Sequence, residues 1–81
     1  LNEERLKFIG RRAELELKKK NLELRIEALV IGTRNELDPI KEANRLRMDL
    51  IVSMALELAE VCDRHKETLA DLKKIQEILG R

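Results

Sequence analysis

Residues 14–32, ELELKKKNLELRIEALVIG, place leucine or isoleucine at alternate positions, at Leu15 and Leu17 and again at Leu22, Leu24 and Ile26. Alternation of this kind normally marks a half-buried strand. The residues between are mostly Glu, Lys and Arg, which favour helices. Stepping about 100° per residue resolves the conflict. Leu6, Gly10, Ala13, Leu17, Leu24, Ala28 and Ile31 then fall along one edge of a helix, and Phe8, Leu15, Leu22, Ile26 and Leu29 along the opposite edge. Lys7, Glu14, Lys18 and Arg25 fill one flank; Arg12, Glu16, Lys19, Glu23 and Glu27 fill the other. Glu14 with Lys18 and Glu16 with Lys20 are i,i+4 pairs in the favourable order, each contributing about 0.2–0.5 kcal/mol. The spacing predicts a helix with two opposed apolar edges.

Few residues punctuate the chain. Asn2 is a helix N-cap candidate, followed by Glu3 and Glu4 near the positive end of the helix dipole. Gly32 opens GTRNELDP, in which Asp38-Pro39 combines a capping acid with proline at a first helical position. Gly80 is a terminator candidate. These signals predict one all-α domain over residues 1–81: helix 1 from about 3 to 31, a loop over about 32–38, and helix 2 from about 39 to 79, folded as a long antiparallel hairpin.

Helix 2 has a wide apolar surface. Its main stripe runs through Ile40, Ala43, Leu50, Ile51, Met54, Leu58, Val61, Cys62, Leu69, Leu72 and Leu79, widened by Met48, Val52, Leu56 and Ala59. A hairpin covers one face of each helix, so a second apolar face is expected to remain on both. On these boundaries helix 1 is about 45 Å long and helix 2 about 60 Å, leaving Leu69, Leu72, Ile75 and Leu79 beyond the end of helix 1. The expectation is self-association, a dimer forming a four-helix bundle or a higher homo-oligomer, with another helical protein as the other occupant. The residues expected to bind that partner are Leu15, Leu22, Ile26, Leu29, Val52 and Leu56, with Leu69, Leu72 and Ile75 at the overhang.

Composition narrows the function classes. A single cysteine in 81 residues excludes an internal disulfide and points to a reducing, cytoplasmic setting. The most apolar segment, MDLIVSMALELAEVC, is too short to span a bilayer and contains three acids. The N-terminus has no signal-peptide pattern. The chain begins with Leu1 rather than Met, as a fragment would. Seventeen basic residues face sixteen acidic ones, and Phe8 is the only aromatic, so bases and sugars have no stacking platform.

Candidate chemistry is sparse. Cys62 and His65 stand i,i+3 on one helix face, a spacing that offers two metal ligands or a thiol beside a base. Nothing nearby supplies the remaining ligands or an orienting third group, so the bland reading prevails: a small core residue and the end of an apolar stripe. Neither a catalytic site, a cofactor nor a metal is expected. Arg47, with Asn44 and Gln76 near the stripe's edges, is read either as a buried group that fixes register or as a snorkelling side chain. Met48 and Met54 are read as core filling.

The alternative function is a nucleic-acid accessory protein that uses Lys7, Arg11, Lys18, Lys19, Lys20 and Arg25 as a phosphate-binding flank. Interleaved glutamates weigh against it: residues 1–36 hold nine basic and seven acidic side chains. The leading expectation is a non-catalytic scaffold or adaptor that binds partner helices in the helix-in-groove mode.

Overall fold

A computed structural model describes residues 2–80. The chain forms two long helices, α1 (Asn2–Glu36) and α2 (Met48–Leu79), joined by a loop holding a single 3-10 turn at Ala43–Arg45. There is no strand among the described residues. The helices pack antiparallel: Arg25 meets Glu57 mid-way, and the Arg5 guanidinium donates to the Leu79 carbonyl at 3.2 Å. The resulting rod measures 65 × 15 × 14 Å.

The boundaries differ from those predicted by punctuation, and local chemistry explains each difference. α1 starts at Asn2, which therefore lies inside the helix rather than capping it. Gly32 does not end α1. Its backbone stays helical, and a β-carbon there would come within 3.2 Å of the Met54 sulfur, so the glycine allows α2 to approach closely. Thr33 returns its hydroxyl to the Leu29 carbonyl at 2.7 Å, and the Leu37 N–H bonds the Thr33 carbonyl at 3.0 Å. Asp38-Pro39 starts no helix. The Asp38 carboxylate accepts from the Ile40 N–H and its carbonyl from the Lys41 N–H, both at 3.0 Å. Asp followed by Pro suits the first two positions of a β-turn as well as a cap and first helical residue, and here it makes the turn. The loop is therefore 37–47, and Ile40 and Ala43, assigned by periodicity to helix 2, lie within it. Gly80 caps α2 as expected, with ordinary helical angles and an N–H bonded to the Gln76 carbonyl at 2.8 Å.

With these limits α1 has 35 residues and α2 has 32. At 1.5 Å per residue their lengths are about 52 and 48 Å, so the predicted overhang disappears. Leu72, Ile75 and Leu79 are buried together with Leu15, and Phe8 packs against them.

The inward residues follow a 3,4 spacing. On α1, Phe8, Leu15, Leu22, Leu29 and Glu36 recur every seven residues, and Arg12, Lys19, Ile26 and Thr33 fall between them; all are buried or half-buried. On α2, Ile51, Leu58, His65, Leu72 and Leu79 form one seven-residue series and Met54, Val61, Thr68 and Ile75 the other. A sustained 3.5-residue repeat keeps one seam facing its partner along the whole contact, as in a left-handed coiled coil.

Candidate interaction surface

Because α2 lies against the Leu15 edge of α1, the opposite edge is left uncovered. Leu6, Leu17, Leu24 and Ile31 are 63%, 61%, 57% and 49% exposed. These four large side chains sit at helical spacing on the face of α1 turned away from α2. On α2 the exposed apolar residues concentrate near the loop: Met48, Val52 and Leu56, the last 68% exposed.

The residues expected to meet a partner divide accordingly. Leu15 and Leu29 are buried against α2 and unavailable to another chain; Leu22 and Ile26 are half-buried on the same seam. Leu72 and Ile75 are also buried, because α1 extends far enough to cover them. Val52, Leu56 and Leu69 are exposed. The sequence pattern located both edges of α1 correctly but assigned the wrong one to the outside. The two are nearly equal in apolar content, and periodicity carries no information about which edge another helix occupies.

Besides the Arg5 contact at the far end, side-chain pairs pin the hairpin at three levels. Near the loop, Glu36 occupies the last seam position of α1. Its carboxylate accepts from both the Nε and Nη2 of Arg47, the former at 3.0 Å, and from the Lys41 ammonium at 3.2 Å. The Arg47 hydrogen bond, aided by Lys41 and opposed by burial, holds the Glu36 carboxyl down at about 2, and the Arg47 guanidinium is correspondingly raised. Arg47 therefore stands at the N-terminal boundary of α2 as a loop clamp rather than within its stripe. The sequence carries a signal for Glu36: it lies seven residues beyond Leu29, in series with Leu15 and Leu22. At mid-rod, Arg25 grips Glu57 through two hydrogen bonds at 2.6 and 2.8 Å. Further along, His65 Nε2 lies 3.1 Å from a Glu23 carboxylate oxygen, and Thr68 is fully buried with its hydroxyl returned to the Arg64 carbonyl at 2.8 Å.

The remaining candidate groups do not converge. Cys62 is a half-buried free thiol one turn before His65. Among the described residues no group of three or more His, Cys, Asp or Glu side chains is placed to hold a metal. A surface depression at the loop end is lined by Ile31, Arg34, Asn35, Asp38 and Pro39, with no nucleophile beside a base. The basic residues of α1 are dispersed: Arg11 pairs with Glu14, Arg25 with Glu57, Lys19 is half-buried at the seam, and Lys20 stands on the other side from Lys7 and Lys18. No helix among the described residues is long and apolar enough to cross a membrane.

These features define a class: a two-helix antiparallel hairpin with coiled-coil spacing inside and a second apolar edge outside. No protein family, curated protein or solved structure matches the chain.

Proposed function

We propose that this chain is a non-catalytic helical interaction module that assembles with copies of itself and serves as a scaffold or adaptor. The uncovered edge of α1, Leu6, Leu17, Leu24 and Ile31, carries this reading. Together with Ile9 and the intervening small residues it presents about 500 Å² of apolar surface, near the upper end of what single-domain monomers expose. Removing that surface from water is worth about 12 kcal/mol per chain in gross burial, against an association cost of about 4–15 kcal/mol shared by the partners. A second exposed patch at Met48, Val52 and Leu56 adds to the drive. The absence of converging nucleophile, base and orienting groups among the described residues supports a binding role over catalysis.

Multi-angle light scattering at tens of micromolar tests the proposal. A mass of two or more chains is expected, and a clean monomer overturns it.

A further inference from the structure

Gly10 is the residue the hairpin itself does not explain. It lies in the first third of a 35-residue helix, where glycine weakens the helix relative to alanine. Its backbone is helical, it faces solvent, and a β-carbon placed there would meet nothing within 4 Å. Gly32, by contrast, is occupied from outside by Met54. A glycine on an outward face is explained when another element approaches the backbone there. Gly10 lies in line with Leu17, Leu24 and Ile31, each seven residues from the next. A seven-residue apolar series on an exposed helix is suited to another helix of the same repeat.

We propose that this occupant is α1 of a second copy, antiparallel to the first about a two-fold axis beside Asn21. This rests on the self-association proposed above and specifies its face, direction and register. In that register Ile31 seats over Gly10 of the second copy and Leu24 packs on Leu17 of the second copy, with Ala13 and Ala28 on opposite rims of the seam. Each contact occurs twice by symmetry. A branched side chain at one end of the edge meets a missing side chain near the other, and leucine meets leucine beside the axis. In a parallel arrangement Gly10 faces Gly10 and Ala13 faces Ala13, leaving a gap along that third of the contact.

Charge follows the same register. On one rim Glu14 stands opposite Arg25 of the second copy. Because Arg11 already pairs with Glu14 and Arg25 with Glu57 within each chain, the rim becomes a run of alternating sign. On the other rim Lys20 stands opposite Glu23 of the second copy. Lys20 beside Lys20 of the second copy at the axis and Glu16 near Glu27 are the like-charged exceptions. With the stems of these rim residues, the buried surface approaches the roughly 800 Å² per partner typical of a specific complex.

Cysteine pairing tests the register on the full chain with Cys62→Ser as background. Leu17→Cys and Leu24→Cys are made as separate variants, checked for helicity by circular dichroism, then oxidised alone and as a mixture. Each alone is expected to remain uncrosslinked, and the mixture to give a covalent dimer. A dimer from Leu17→Cys alone means a parallel or shifted contact and overturns the register. A dimeric mass by light scattering with no cross-link in any sample overturns the face while leaving self-association standing; a monomeric mass overturns both. As a second measurement, Leu17→Glu and Leu24→Glu, both on the exposed edge, are expected to keep their helicity and to weaken dimerisation by about thirtyfold or more. Unchanged dimerisation in both overturns the proposal.

Discussion

Leu15 and Leu17 are the same residue type, two positions apart on one helix, yet Leu15 is 1% exposed and Leu17 is 61% exposed. The contrast extends along the two edges of α1. The inner edge, which is buried, includes Arg12, Lys19, Thr33 and Glu36 among its leucines; the outer edge has Gly10, Ala13 and Ala28 among its own. Polarity alone would not rank the inner edge as the better core. Burial follows from which edge the returning helix reaches, and the polar residues on that edge are accommodated by snorkelling stems, a hydroxyl bonded to its own helix and the Glu36–Arg47 clamp. An apolar side chain is thus a candidate for burial, and the tertiary contact selects among candidates.

The sharpest way to break this comparison is to truncate each edge in turn. Leu15→Ala is expected to destabilise the fold by about 2–5 kcal/mol, as buried leucine truncations do. Leu17→Ala should change monomer stability by no more than about 0.5 kcal/mol, as exposed substitutions do. Urea unfolding, dilute enough to keep the chain monomeric, measures both; equal losses would abolish the distinction between edges.

Acid probes the end of the inner edge. The Glu36 carboxyl is lowered from 4.5 to about 2 in the folded chain. A lowered carboxyl binds its proton more readily in the unfolded state, so its contribution is fully present above pH 4.5 and disappears as pH falls toward 2. Thermal melts over that window should show wild-type stability falling more steeply than that of Glu36→Gln. Parallel curves would show that the clamp contributes nothing.

Gly10→Ala addresses the outer edge. Alanine should strengthen the monomer by up to about 1 kcal/mol through helix propensity, while adding a methyl where the second copy is proposed to approach. Stability at low concentration should rise and dimer affinity should fall. A rise in both would remove the reason given for that glycine. The smallest effect is expected on the flank between the edges, where the half-exposed Arg25–Glu57 pair should show a coupling of about 0.5–1 kcal/mol in a double-mutant cycle. Zero coupling would assign the pair to solubility alone.

Much of the architecture was readable because helical periodicity is a local property. The composition of Glu, Lys and Arg between the leucines decided helix over strand at residues 14–32, and the two edges of α1 followed from spacing. The hairpin followed from the cluster of turn residues at 32–39. The loop limits were less readable because Asp38-Pro39 satisfies two local geometries equally well, and Gly32 can either end a helix or admit a neighbour. Met54 made Gly32 a contact, and Arg47 reaching Glu36 closed the loop further along.

What the amino-acid order determined alone was two helices, a turn between them and more apolar edge than one hairpin conceals. Tertiary structure decided which edge of α1 faces inward, where α1 stops and whether Leu72 and Ile75 are covered. The physical reason is range: backbone hydrogen bonding and side-chain spacing act within a turn or two of helix. The choice of a facing surface depends on residues more than thirty positions away, such as Arg25 and Glu57, meeting at one level of the rod.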